Sequence, residues 1–172
     1  MNENEISRII VESAIEVHRE LGGPGLLESV YEEALVEELT RRGLTVERQL
    51  SVPIIYEGKR LASPLRLDLK VNGLVLVDNK AVTEWNPIFE AQMFTYLRLT
   101  KLKLGLVINF GEAGRHSRDP AGRGAARGHV PIRVEDAPGV KLGGRMPSSF
   151  DGRFPRQALA RVRLMAAHST IM

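Results

Sequence analysis

Ile6, Ile9, Ile10, Ala14, Val17 and Leu21 recur at spacings of three and four, which puts an apolar stripe on one side of a helix. Gly22-Gly23-Pro24-Gly25 ends that helix, since glycine tolerates the left-handed backbone of a helix end and proline cannot continue the ladder. Leu27, Val30, Tyr31, Ala34, Leu35 and Leu39 form a second stripe that Gly43 closes, with Glu32, Glu33 and Glu37 expected on the solvated outer face. The period then changes to two. Residues 45–56 are rich in β-branched positions and contain Pro53, as an edge or bulged strand would. After a Glu57-Gly58-Lys59 turn, Leu65, Leu67, Leu69 and Val71 alternate with polar residues, which predicts a strand with all four on one face. Asn72-Gly73 turns the chain into a third strand over 74–82. Asn86 as N-cap and Pro87 at the first helical position open a third helix that runs to about Lys101. Leu104–Phe110 reads as a buried strand. The order is ααβββαβ, an α/β or α+β layered domain.

The register of the hairpin decides what its acids can do. A two-residue Asn-Gly turn would set Asp68 across from Val77, with Asp78 on the opposite side of the sheet. A three-residue loop, Val71-Asn72-Gly73, pairs Lys70 with Leu74, Leu69 with Val75 and Leu67 with Val77. Burial favours this second register, and it places Asp68 beside Leu76 on the face that carries Asp78 and Lys80.

Composition narrows the chemistry. The 172 residues include no cysteine and only four histidines, widely scattered, which excludes a disulfide scaffold and Cys-ligated metal and argues against a His cage. No apolar run approaches the roughly 20 residues of a membrane span, and the polar, acidic start is unlike a leader, so a soluble cytoplasmic chain is expected. The net charge of +3 conceals two regimes: residues 1–112 carry −4 and residues 113–172 carry +7. The second stretch is rich in Arg, Gly and Pro and shows only a loosely helical spacing over 157–167. We read it as a basic extension of low order beyond a domain at 1–112. An arm along nucleic-acid phosphates is the functional alternative, but Phe150 and Phe154 are its only aromatics.

Two carboxylates and an ammonium at the end of a Leu-Val-Leu-Val strand match what a hard cation and a phosphoryl group need. Mg²⁺ takes oxygen ligands, commonly one or two carboxylates with water and phosphate, and a lysine can steady the attacking water. The same residues would equally form an ordinary surface ion pair. Glu28 with Tyr31, and Gln92 with Tyr96, are by spacing alone unremarkable helix pairs.

Taken together, these pieces have a family likeness. Gly25-Leu26-Leu27-Glu28-Ser29-Val30-Tyr31 resembles the motif of the GxxExxY protein family, within the PD-(D/E)XK nuclease-like superfamily. Leu67-Asp68 and Asp78-Asn79-Lys80 resemble the superfamily's D…(D/E)-x-K signature, and Gln92 with Tyr96 the Q-x-x-x-Y element of RecB-like nucleases. The resemblance implies a restriction-endonuclease-like mixed sheet flanked by helices and a Mg²⁺-dependent nuclease (Mn²⁺ as substitute) acting on DNA or RNA, DNA favoured. It further implies Asp68 and Asp78 as metal ligands, Lys80 at the attacking water, Glu28 as extra ligand or orienting partner, and Gln92 and Tyr96 near the phosphate. A catalytically silent binding module on the same fold is the alternative. Asn79 stands where family members carry an apolar residue and needs a hydrogen-bond partner if buried. After Phe110 the basic tail replaces the family's short closing segment. A reading-frame shift near Gly111 would write such text, and translating the other frames of the coding DNA tests it.

Overall fold

A computed structural model describes residues 1–111, together with the backbone of two strands at 133–136 and 161–166. Helix α1 (Glu3–Glu20) starts in a reciprocal cap, where Asn2 Oδ1 accepts from the Glu5 amide and Glu5 Oε2 from the Asn2 amide. Helix α2 (Glu28–Arg41) follows. The main sheet contains β1 (Val46–Val52), β4 (Leu65–Val71), β5 (Val75–Lys80) and β6 (Leu104–Asn109), with helix α3 (Ile88–Thr100) crossing from β5 to the parallel β6. Between β1 and β4 the chain makes a small separate hairpin, β2 (Ile55–Tyr56) and β3 (Lys59–Arg60), which the predicted order did not contain. Strands β7 (Arg133–Asp136) and β8 (Arg161–Ala166) complete the order β1-β4-β5-β6-β8-β7. Residues 161–166 are thus a strand antiparallel to β6, although their spacing is loosely helical. The expectation of low order for the remainder of 113–172 lies outside the described residues.

The mixed sheet is covered on both faces. α1 and α2 pack over Leu69, Val71, Val75, Val77, Leu106 and Ile108; α3 packs over Leu67, Leu76 and Val107 through Met93, Tyr96 and Leu97. That is why β6 is buried along its length and reads as a continuous apolar run. At the centre of the α1/α2 side, the Tyr31 and Phe110 rings stack 4.6 Å apart, with His18 against both. His18 Nε2 donates to the Phe110 carbonyl at 3.2 Å, and burial holds the imidazole below its ordinary pKa despite that bond.

Three expectations need correction. The hairpin loop is Asn72-Gly73-Leu74, so Val71 pairs with Val75, Lys70 with Leu76 and Leu69 with Val77, two residues from the predicted register. Asn72 sets it: with φ of 49°, it accepts from the Thr45 amide through Oδ1 (2.7 Å) and donates its own amide to the Thr45 carbonyl (2.8 Å), pinning the turn to the start of β1. A shift of two by itself keeps the parity of the pairing, so the β5 residues stay on their predicted sides of the pleat. Second, Leu65 and Leu67 pack under α3 while Leu69 and Val71 pack under α1 and α2. The exchange falls at Asp68, facing Gln49, whose φ of 50° lies outside the strand region. Third, Glu32 is buried rather than solvated, and Leu27 and Val30 are exposed. Arg48 and Gln49, from β1, both bind the Glu32 carboxylate and draw that side of α2 inward.

Candidate active site

The corrected register sharpens the acidic cluster. The paired register ends at Leu69–Val77, the last step before Asp68 on β4 and Asp78 on β5. The ladder stops there, and the Asp68 side chain takes over, with Oδ2 accepting from the Asn79 amide at 2.8 Å. Asp78, Asn79 and Lys80 occupy the carboxyl end of β5, paired with Val107, Ile108 and Asn109 at the same end of the parallel β6. Carboxyl ends of parallel strands are where open α/β sheets place their ligands.

Asp78 is buried, 3% exposed. Lys80 Nζ lies 2.8 Å from its Oδ2, so the buried carboxylate is held by a close ion pair. The Lys80 ammonium also sits 5.4 Å from the centre of the Phe89 ring, a cation–π contact that fixes its far side. Phe89 in turn meets Trp85 edge to face, and Trp85 Nε1 donates to Glu90.

Glu28 begins α2, largely exposed, with its carboxylate near the Ala81 amide, Lys80 and Asp68. Gly25, with φ of 118°, makes the turn that brings α2 in at this point. Tyr31, one turn after Glu28, is a core residue whose hydroxyl donates to the Gly23 carbonyl at 2.6 Å, so it holds the loop rather than the site. Tyr96 is buried beside the cluster and donates to the Arg66 carbonyl at 2.7 Å, fixing β4 two residues before Asp68. Gln92, one turn earlier on α3, is exposed, and no hydrogen bond ties it to the acids. Asp68, Asp78, Lys80, Glu28 and Tyr96 therefore converge, with Gln92 at the margin. The open groove lined by Val30, Glu33, Glu37 and Arg48 is on the outer side of α2 and includes none of them.

Crowding of like charge in a half-dry setting shapes their protonation. Burial, then the neighbouring Asp78, pushes Asp68 up to about 6 against the pull of the Asn79 amide. Burial raises Asp78 as well, opposed chiefly by Lys80. It likewise raises Glu28, again opposed by Lys80. For Lys80, burial acts downward, but Asp78, Glu28 and Asp68 outweigh it and hold the ammonium charged. Tyr96 is raised by burial and by Asp78.

Local sequence could not reveal Glu32, Arg48 and Gln49, because their contacts join residues 16 and 17 positions apart. Asn109 was also missed. Its Oδ1 accepts from the amides of Val82 and Gly111, and its Nδ2 donates to the Val82 carbonyl, clamping the segment just beyond Lys80. One signal was available: a polar residue closing an apolar strand.

Asn79 is the anomaly of the site. It is fully buried, and among the described residues neither end of its carboxamide has a hydrogen-bond partner. Its amide N–H, which Asp68 needs, belongs to the backbone and survives substitution. Asn79→Val is therefore expected to stabilise the protein by about 1–3 kcal/mol, measured by urea denaturation. A loss of stability instead would mean that the carboxamide is satisfied within the fold.

A family model described as the PD-(D/E)XK nuclease superfamily matches residues 4–119, more than half of the chain. Among curated proteins and solved structures, none matches.

Proposed function

Because the chain belongs to the PD-(D/E)XK nuclease superfamily, we propose that it is a divalent-metal-dependent phosphodiester hydrolase acting on nucleic acid, with Mg²⁺ as its metal, Mn²⁺ as a substitute, and DNA favoured over RNA. The observation that carries this reading is the convergence of Asp68, which binds the Asn79 amide and feels the charge of Asp78, with Lys80 2.8 Å from Asp78. The donor chemistry fits a hard cation: two carboxylates lie close enough for each charge to act on the other, and burial leaves that repulsion poorly screened. Asp68 and Asp78 would hold the ion, with Glu28 as extra ligand or orienting partner. When bound, the ion supplies polarisation of a phosphoryl oxygen and a more acidic water.

The chain's own residues supply the rest. Asp78, Glu28 and Asp68 hold Lys80 as the ammonium, which orients the attacking water and faces charge that develops on phosphate. The Asn79 amide holds one Asp68 oxygen and leaves the other for a ligand. Tyr96 acts through the Arg66 carbonyl as a positioning residue, and Gln92, exposed at the margin, would contact the phosphate. Gly25, Glu28 and Tyr31 support membership of the GxxExxY group.

A second reading, a nuclease-fold binding module without catalysis, is favoured by one specific observation. Among the described residues, no three Asp, Glu or His side chains stand close enough together to hold a metal ion. End-labelled DNA and RNA oligonucleotides incubated with the purified chain separate the readings. Cleavage that requires Mg²⁺ or Mn²⁺, stops in EDTA and is lost in Asp78→Asn is the expected result. Oligonucleotide binding without cleavage supports the silent module, and cleavage that persists in EDTA contradicts the metal-dependent reading.

A further inference from the structure

The β2–β3 hairpin has no part in the core. Ile55 is 59% exposed, Tyr56 63% and the adjoining Leu61 42%, and Lys59 and Arg60 are exposed too. Tyr56 pairs with Lys59 and Ile55 with Arg60, so the phenol and the ammonium stand on one face of the ribbon. Glu57 and Gly58 both have left-handed φ, 47° and 78°, the pattern of a tight hairpin turn whose twist matches its strands. An isolated two-stranded ribbon is marginal by itself, and this one leaves its apolar side chains in water.

Its position gives it a use. The hairpin is spliced between Val52 and Leu65, which pair with each other, and so emerges from the end of the β1–β4 ribbon. Asp68 is three residues along β4 from that point, about 10 Å at strand rise. The antiparallel β5 finishes in Lys80 at the same end. Charge also points outward here: residues 1–112 carry −4 overall, yet Lys59 and Arg60 outnumber Glu57 on the hairpin.

We propose that this hairpin grips single-stranded nucleic acid beside the acidic cluster, Tyr56 stacking on an unpaired base while Lys59 and Arg60 neutralise neighbouring phosphates. This rests on the nuclease reading and adds to it the contact surface and the strandedness of the substrate. A duplex hides the faces of its bases, whereas an unpaired strand offers a ring to an exposed tyrosine and a phosphate to the lysine on the same face.

The test is fluorescence anisotropy of a labelled single-stranded DNA oligonucleotide with the full chain in EDTA, across a range of salt. Tyr56→Ala should weaken binding about tenfold and Tyr56→Phe should restore it. Lys59→Ala combined with Arg60→Ala should lower the slope of log affinity against log salt by about 1.4, since each phosphate contact contributes about 0.7 on a single strand. A small activated phosphodiester, bis(p-nitrophenyl) phosphate, is too short to span from the cluster to the hairpin. Its Mn²⁺-dependent hydrolysis should be unchanged in every hairpin variant. Hydrolysis of that small diester together with wild-type oligonucleotide binding by the hairpin variants overturns the hairpin proposal alone. Neither hydrolysis nor oligonucleotide binding by the unaltered chain overturns the nuclease reading and the hairpin proposal with it.

Discussion

Asp68→Asn is expected to give a protein that is more stable than the natural one and cleaves nothing above background. The carboxylate is partly buried against Asp78, and its pKa is pushed up to about 6, so ionising it costs the native state free energy at neutral pH. A shift of that size corresponds to roughly 3 kcal/mol. Because Asp68 is only partly shielded from water, about 1–2 kcal/mol is the gain expected on removing the charge. The carboxamide is close to isosteric, and its oxygen can still accept from the Asn79 amide. The pH dependence has a definite sign. With a folded pKa above the unfolded 3.8, the native state binds more protons than the unfolded one between about 4 and 6, so Asp68 favours folding increasingly as pH falls through about 6. The advantage of Asp68→Asn should be full above pH 6 and nearly gone near pH 4. Urea denaturation of both proteins in EDTA at the two pH values checks this. A variant less stable at neutral pH would mean that Asp68 earns more from its hydrogen bond than it loses to burial.

Gly111→Ala is expected to be among the most damaging single substitutions in the domain. A Cβ at Gly111 would lie 2.4 Å from the Ala81 carbonyl carbon and 2.4 Å from the Val82 nitrogen. Both are backbone atoms, and Asn109 holds that backbone through bonds to both polar groups of Val82, while the Phe110 amide donates to the Lys80 carbonyl at 2.7 Å. The strand can yield only by releasing this clamp, so a loss of about 3 kcal/mol or more is expected. The segment that must move begins immediately after Lys80, and catalysis should fall even where folding survives. Gly105→Ala is the control. Its Cβ would meet Met93 Sδ at 2.3 Å, but an unbranched side chain can swing away, and about 1–2 kcal/mol should suffice. Equal denaturation midpoints for the two variants would show that the Ala81–Val82 backbone adapts as readily as a methionine.

Much of this was legible from periodicity. The two N-terminal helices, the alternating β4, the apolar β6 and the start of α3 all stand within a residue or two of where their spacing puts them. α3 starts one residue later than expected, with Pro87 at the cap position, and Asn86, just before it, accepts from the Ile88 amide through Oδ1. The side-chain faces of β5 were legible too, because a register error of two preserves parity. What was not legible depends on distant contacts. The true loop includes Leu74 because Asn72 bonds to Thr45, a partner 27 residues away that no local turn rule includes. Glu32 resembles a solvated helix residue until Arg48 and Gln49 arrive from another element. Leu67 and Leu69 look equivalent in the alternation, and only the irregular ribbon at Gln49 and Asp68 assigns them to different cores. The site was therefore visible as a set of residue types, whereas its shape, with Asp68 bonded to the Asn79 amide beside Asp78, required the pairing of whole strands.

Whether Asp68 and Asp78 together bind a divalent cation is read from calorimetric titration of the full chain with Mn²⁺ at neutral pH. One saturable site is predicted, weakened at least tenfold in Asp68→Asn despite that variant's greater stability. Absence of binding at millimolar Mn²⁺, or the same affinity in both proteins, would contradict it.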